Sequence, residues 1–522
     1  MKREKVYLLG GSGSMGFETF KNIWTCKDES GNRKYDIVLL LRNSRKNQKL
    51  FLPYIRQAGI RFWKQQDVIE QNGFKIIWGD GRNYNDIAQG MAGVDWVLNC
   101  MALISPKADH YPDIAKAVNI KGLENIIRAI KEEPGGTDHI KLINVGSIAQ
   151  YGDRMNEIHM GRVGDPLMSS PFDVYSVTKI KAERILLESG LKYWVQLRQT
   201  FIMIPNLFSL EDPLMFHQPI NSFMENITVK DAGRVMANCL QIPEDSPFWR
   251  NVYNCGGGPA CRTNYYDFLK MMFGMMGLRL EKIFDRNWFA LRNFHMLYYQ
   301  DSDKLNNYLK HWNDSIEDFT KLVWEKMPFF LKFTANLCKK SKLVSIIAEK
   351  IARRRMKKMV LSKNGTLNWY SSKNDLRIAA FYGSYEAFEN IPDWDAALPS
   401  GLNGTPTPKT KILDHGYNES KTKLELSDLQ LAAKYRGGKL ISTSWDGEMH
   451  TFLEWECAFG HKFETTPFTI LKAGHWCSEC EPPDWNYDEI ARHNKFFAQV
   501  WYASHSPEED FYYPERCYED IF

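Results

Sequence analysis

The sequence predicts an α/β fold in which a doubly wound parallel sheet is followed by a mainly helical extension and a small C-terminal module. Three observations carry this expectation. Short β-branched runs alternate with helical stretches through the first third of the chain, and a glycine-rich loop directly follows the first run. Cys and His residues with metal-site spacing cluster near the C-terminus. At 522 residues the chain exceeds the roughly 250–300 at which one hydrophobic core stops growing, so several domains are expected.

The expected strands are Lys5–Leu9, Asp36–Leu41, Lys75–Trp78, Trp96–Cys100, Lys141–Val145 and Trp194–Arg198, with helices such as Met15–Thr25, Asp113–Lys131 and Ser176–Leu187 between them. This succession is that of a Rossmann-type sheet, and it assigns residues 1–280 to a dinucleotide-binding domain. From about Glu281 the rhythm changes to aromatic-rich helical segments, read as an extension or substrate cap over 281–397. Residues 398–423 are rich in Gly, Pro, Thr, Asn and Ser without periodicity and read as a linker. A compact Cys/His segment over 424–483 and an acidic, aromatic tail over 484–522 complete the chain.

Composition excludes little. The apolar fraction of 44% and charged fraction of 25% are ordinary for a soluble protein, and a net charge of +4 is too small to imply a polyanion partner. No segment offers the roughly 18 uncharged apolar residues a spanning helix needs. The apolar run after Met1-Lys2-Arg3-Glu4 is too short for a secretory leader and runs into the glycine loop. Seven of the ten cysteines are isolated or loosely spaced, as reduced thiols are, so a cytoplasmic protein is expected.

After the first strand comes Gly10-Gly11-Ser12-Gly13-Ser14-Met15-Gly16. Gly10, Gly13 and Gly16 permit a tight turn, close approach of backbone to pyrophosphate, and close packing of helix on strand. The helix opening at Ser14 and Met15 then presents free N–H groups and a positive dipole end to the phosphates. The second strand ends in Leu41-Arg42-Asn43-Ser44-Arg45-Lys46, with cations where an NAD site usually places a carboxylate. Arg42 and Arg45 therefore point to the extra phosphate of NADP(H), with NAD the alternative.

These motifs, with others in order, resemble the extended short-chain dehydrogenase/reductase family, also called the NAD-dependent epimerase/dehydratase family, over roughly residues 4–280. Gly79-Asp80 is similar to the family's Gly-Asp pair, which implies that Asp80, beside Gly81, bonds the adenine amino group. Asn99-Cys100-Met101-Ala102 stands where the family lines its cofactor, implicating Asn99 and Met101. Asn119 matches the family's structural helix asparagine. Val229-Lys230-Asp231 and Tyr253-Asn254-Cys255-Gly256-Gly257-Gly258 resemble later landmarks. The resemblance also implies a homodimer through the helices flanking the catalytic tyrosine.

Ser147 lies just beyond the fifth strand, and Tyr175 and Lys179 stand four apart on an expected helix, hence on one face. A phenol of pKa near ~10 needs a neighbouring cation to act near neutrality. Lys179 can supply it while also bonding the nicotinamide ribose, and Ser147 can hold the substrate oxygen against the tyrosine hydroxyl. Three departures narrow the family's chemistry. The dehydratases' Asp-Glu is replaced by Ile148-Ala149. The epimerases' Arg-Tyr-Phe-Asn becomes Arg198-Gln199-Thr200-Phe201, and Ile202-Met203-Ile204 adds apolar surface. The resulting expectation is an NADP(H)-dependent ketone reductase or alcohol dehydrogenase with a Ser-Tyr-Lys site and a fairly apolar small-molecule substrate. A nucleotide-sugar or sugar-like epimerase with the same site is the alternative, and an NADP-binding redox-sensing scaffold acting through the C-terminal module is a reading of another class.

Residues 332–358 hold nine cations beyond Lys332 against Glu349 alone, with Leu343, Ile346, Ile347 and Ile351 interleaved near helical spacing. A cap helix burying that stripe is the favoured reading, and peripheral contact with an anionic membrane the alternative. Cys457, His461, Cys477 and Cys480 offer the usual closed ligand set for structural Zn²⁺, with His475 as a substitute for His461. The surrounding pattern resembles treble-clef zinc fingers, which implies a protein partner. Nearby Glu454, Glu456, Glu464, Glu479 and Glu481 weigh against nucleic acid.

Overall fold

A computed structural model describes residues 3–61, 66–205 and 212–515. The outermost residues of the expected N-terminal domain and tail, 1–2 and 516–522, lie outside the described residues. The central sheet contains β1 (Glu4–Leu9), β2 (Tyr35–Leu41), β3 (Val68–Gln71), β4 (Phe74–Trp78), β5 (Trp96–Asn99), β6 (Lys141–Val145), β7 (Tyr193–Gln199) and β8 (Asn251–Cys255). Their spatial order is β8-β7-β6-β5-β1-β2-β4-β3, parallel throughout except for the β3–β4 pair.

Period-two alternation explains why the sheet is buried on both faces. Val6 and Leu8 of β1 face one apolar cluster with Phe20 and Ile23 of the helix Ser14–Thr25. Tyr7 and Leu9 face the opposite cluster with Leu123, Ile126 and Ile130 of the helix Gly122–Glu132. The chain runs from β1 to β2 on one side and returns to β5 on the other. The reversal of strand order opens a crevice at the carboxyl ends of β1 and β5.

Two strands extend the sheet beyond the sequence expectation. β3 pairs back on β4 through Asn72 and Gly73, with φ of 51° and 71°. Positive φ at both central residues is the tight-hairpin conformation, and Asn-Gly is its usual sequence signal. β8 forms the opposite edge.

Beyond the sheet, a small second sheet joins Phe201–Met203, Phe223–Thr228 and Arg262–Asn264. The extension is helical, with Ile316–Lys326, Phe329–Lys340, Lys342–Val360, Thr366–Ser371 and Asp375–Tyr382 as main elements. Residues 398–423, expected as a linker, instead lie across the molecule as a strap. Leu402 and Leu413 are buried, the Thr410 hydroxyl donates to the Ile158 carbonyl at 2.6 Å, and His415 stands 2.9 Å from Asp165. Sparse but well-placed partners hold a segment whose composition reads as loop. Among the described residues no helix is long and apolar enough to cross a membrane.

Candidate active site

β1 delivers the chain into Gly10, whose φ is +76°, and a Cβ there would lie 2.6 Å from the Cys100 carbonyl carbon and 2.7 Å from the Met101 amide nitrogen. An added Cβ on Gly16 would meet the Gly10 carbonyl oxygen at 2.3 Å. Both glycines are therefore required by the chain itself. Gly13 differs, because a Cβ there would make only ordinary contact, 3.4 Å from Gly10 oxygen. The chain's own packing therefore does not demand glycine at this position. Gly13 is also the N-cap, and no side chain caps the helix. The first-turn amides of Ser14, Met15 and Gly16 are left for an anion.

At the end of β2, Arg42 and Arg45 are exposed and have no ion-pair partner among the described residues. Ser44 caps the helix Arg45–Gln57, which has no acid in its first turn. Cations at the positive end of a helix are unfavourable unless an anion sits nearby. Asp80 hydrogen-bonds the Arg82 guanidinium, with Oδ2 2.7 Å from Nη2, and this contact holds its carboxyl below the usual range. Both Asp80 oxygens are thus already engaged by Arg82. Met101 is wedged between Gly81 and Gly122, where an added Cβ would stand 2.1 Å from its sulfur and 2.6 Å from its methyl carbon, respectively. Asn99 is committed to the interior, donating to Asn144 Oδ1 at 2.7 Å and accepting from the Met101 amide at 3.1 Å.

Ser147, Tyr175 and Lys179 converge beyond β6. Ser147 opens a tight turn through a reciprocal cap, its Oγ accepting from Ala149 and Gln150 Oε1 accepting from its amide at 3.0 Å. Burial raises the Tyr175 phenol to about 12, and the neighbouring Ser147 hydroxyl partly opposes this. Lys179, one turn along the helix Val174–Leu187, lies 5.9 Å from the Tyr175 ring centroid and donates to the Val145 carbonyl at 2.8 Å. Burial lowers its ammonium to about 8. A π-turn over Ala117–Lys121 aims Asn119 between two elements of the site: its side chain bonds the Leu103 backbone at 2.8 and 3.0 Å and Thr178 at 2.9 Å.

One further turn along, Glu183 anchors a buried network that sequence reasoning missed. Its carboxylate accepts from Gln150 at 2.9 Å, Gln196 at 3.1 Å and Arg198 at 2.5 and 3.1 Å, and stands 3.0 Å from His475. Burial alone would raise this carboxyl, but Arg198 and His475 hold it far below the usual range. Gln150 connects the network to the Ser147 turn, and Asn144 connects Gln196 to Asn99. The only local signal was an acid four residues past the lysine, on the same helix face, and its burial shows only in the folded chain.

The network reaches the C-terminal module, which is not a free arm. Glu481 pairs with Arg184 at 2.6 Å, Thr465 bonds Glu188, and the Ala473 carbonyl accepts from Arg198 at 2.6 Å. His475, weighed as a zinc ligand, instead lies between fully buried Glu183 and largely buried Glu481, which claim both ring nitrogens. The module also covers the helix expected to mediate a homodimer, 11 of whose 14 residues are buried.

Cys457, His461, Cys477 and Cys480 converge, with donor atoms all within 4.8 Å of one another. Sγ of Cys457 and Cys480 are 3.8 Å apart, and His461 Nδ1 is 3.7 and 3.4 Å from Cys477 and Cys480. A tetrahedron with Zn–S of about 2.3 Å and Zn–N of about 2.0 Å has edges close to these. The donors thus fit zinc, which would clamp the module structurally. We expect about one zinc per chain by elemental analysis, and a lower melting temperature after chelation; full stability in a zinc-free preparation would refute the site. The other cluster, Asp488, His505 and Glu509, has its donors satisfied by Trp501, Phe511, Asn293 and Arg292 and needs no ion.

Beside the amino end of the Tyr175 helix lies a small cleft lined by Ser105, Asp109, Ser170, Asp173, His217 and His295 together with Phe172, Leu214, Phe294 and Phe381. Neither oxygen of buried Asp109 finds a well-formed hydrogen bond among the described residues. Burial, and then the charge of Asp173, raise its carboxyl well above the usual range. His295 Nδ1 is 3.0 Å from Asp173 Oδ2, and burial lowers His217 to about 3. The apolar run that suggested an apolar substrate lies elsewhere. Phe201 packs on Phe268, Met203 is buried with Met272, and Ile202 packs against the main core. Their apolarity is explained by packing under the helix Tyr265–Met275.

Residues 8–195, from within β1 into β7, match the model of the 3-beta hydroxysteroid dehydrogenase/isomerase family. UDP-glucose 4-epimerases of two Rickettsia bellii strains, RML369-C and OSU 85-389, are 46% and 44% identical over 70 residues, 13% of this chain. That match spans a fifth of the length of those curated relatives. Among solved structures, UDP-glucuronic acid 4-epimerase from Bacillus cereus is similar at 15% identity, with 64% of this chain and 99% of that chain covered and a TM-score of 0.44. The UDP-Glc/GlcNAc 4-epimerase of Campylobacter jejuni is similar at 14% identity, 65% and 100% coverage, and a TM-score of 0.44.

Proposed function

We propose that this chain, whose N-terminal domain is of the extended short-chain dehydrogenase/reductase type, is a nicotinamide-dependent epimerase that oxidises and re-reduces one carbinol carbon of a polar, sugar-like substrate. The cleft at the amino end of the Tyr175 helix, where buried Asp109 has no well-formed hydrogen bond among the described residues, supports this reading. A buried carboxyl without a well-formed hydrogen bond offers its oxygens to a hydroxylated ligand, whereas an apolar ligand would leave them unpaired. The short match to UDP-glucose 4-epimerases supports the same class.

The cofactor supplies the hydride acceptor and, in the return step, the donor. Tyr175 Oη takes the substrate hydroxyl proton as the carbonyl forms and returns it on re-reduction. The Ser147 hydroxyl holds the reacting oxygen against that phenol. Lys179 favours the phenolate by its charge, and its burial keeps water from screening that charge. Arg42 and Arg45 favour a cofactor carrying a 2′-phosphate. The free thiols suit the cytoplasm.

The test offers UDP-hexoses and UDP-hexuronic acids with NADP⁺ or NAD⁺, following epimer ratios by NMR and reduced-nicotinamide absorbance together. We expect epimer interconversion without net absorbance change. Stoichiometric NADPH consumption by an apolar ketone, with no epimerisation, would overturn the proposal in favour of a reductase.

A further inference from the structure

The helices Phe329–Lys340 and Lys342–Val360 form a hairpin with two unlike faces. One face is fastened to the protein. Met356 and Val360 are buried in the cluster with Phe216 and Trp288. Glu349 accepts from the Arg279 amide and guanidinium at 2.8–3.0 Å, and Arg353 pairs with Asp285 at 2.7 Å. The hairpin is thus held in place, and its second face is not awaiting a fold of its own.

That second face is apolar and open. Phe329, Phe330 and Phe333 are 82%, 66% and 57% exposed, and Leu343, Ile347 and Ile351 are 69%, 52% and 66% exposed. Positions four apart put the latter three on one stripe. The favoured expectation of a cap helix burying Leu343, Ile346, Ile347 and Ile351 is not met: Met356, Val360 and Glu349 take the inner face, Ile346 is half-buried, and Leu343, Ile347 and Ile351 lie outside. Soluble monomers rarely expose so contiguous an apolar patch without a partner.

Charge indicates what the partner is. Residues 329–361 carry ten cations against one acid, Glu349, which Arg279 already occupies. Lys340, Lys342, Lys350, Arg354, Lys357 and Lys358 have no ion pair among the described residues. A second copy of the chain would set like charge against like. An anionic lipid surface complements both features, since headgroups attract the cations while the rings and aliphatic side chains enter the acyl boundary. Neither helix is apolar enough to span.

We propose that the 329–361 hairpin docks this protein on anionic membrane surfaces as an in-plane amphipathic anchor. The second helix leads straight into the turn bearing Asn364, which lines the cleft with Asp109, so docking brings one wall of that cleft close to the bilayer.

The test is co-sedimentation of the full chain with vesicles of phosphatidylcholine alone or with roughly 30% phosphatidylserine, at about 50 mM and about 500 mM salt. We expect binding to the serine-lipid vesicles at low salt, weakened about tenfold or more by high salt or by omission of the anionic lipid. Phe329→Ser combined with Phe333→Ser, Ile347→Ser and Ile351→Ser should abolish binding while leaving the melting temperature and turnover unchanged. Failure of the unaltered chain to sediment at low salt would overturn the proposal. So would self-association through this face, seen as a larger mass by sedimentation equilibrium that the serine variant returns to monomer. Equal sedimentation of the variant and unaltered chains would likewise sink it.

Discussion

Tyr175→Phe is expected to lower kcat by about 10²–10⁴-fold, while the melting temperature and cofactor affinity stay near those of the unaltered protein. The substitution removes one oxygen and leaves the ring, so packing at the start of the Val174–Leu187 helix is kept. What is lost is the proposed acid–base hydroxyl, which neighbours Ser147 and whose ring centroid lies 5.9 Å from the Lys179 ammonium. The pH profile of kcat/KM should also report the lysine. With its ammonium lowered to about 8 by burial, activity should fall as pH rises through that value. Lys179→Arg, permanently charged, should remove that limb. A Tyr175→Phe protein with undiminished turnover would show that proton transfer lies elsewhere.

Glu183→Ala is expected to destabilise the fold by about 3–5 kcal/mol, measured by denaturant unfolding, because it strands Arg198 and His475 without their carboxylate. Both members of the Arg198–Glu183 pair are completely buried, so solvent cannot replace the lost partner. The effect should spread to both ends of the molecule, since Glu183 joins the Ser147 turn to the C-terminal module. The sign of the pH dependence follows from the depressed carboxyl. Its stabilising contribution is present above the ordinary glutamate value near ~4.3 and is lost as pH falls through the much lower folded value. In the alanine variant, the stability curve should be flatter on the acid side. A change under about 0.5 kcal/mol would mean that the network is stable without its centre.

Residues that act through neighbours in sequence were legible from it. The glycines at 10, 13 and 16, the tyrosine and lysine one turn apart, and the four zinc-type donors have short-range signatures, and each set meets in space. The β3 hairpin was legible too, in Asn72-Gly73, but its preceding strand is too short to show period-two alternation clearly. Phe201 to Ile204 misled because apolar side chains look alike whether they touch a ligand or a core. Only the helix Tyr265–Met275, remote in sequence, tells which.

The alternation of strands and helices, the glycine loop after β1 and the meeting of Tyr175 with Lys179 on one helix face all follow from the chain's local pattern, because backbone geometry fixes how residues one turn or one strand-step apart are presented. Tertiary structure alone decided three things: that Glu183 gathers Arg198, Gln150 and His475, that the zinc-type module clasps the Tyr175 helix, and that the 343–351 stripe faces outward. Each depends on contacts between residues far apart in the chain, or on which face of a helix its neighbours leave uncovered. Local periodicity says that a helix has two faces, and long-range packing chooses the one that meets water.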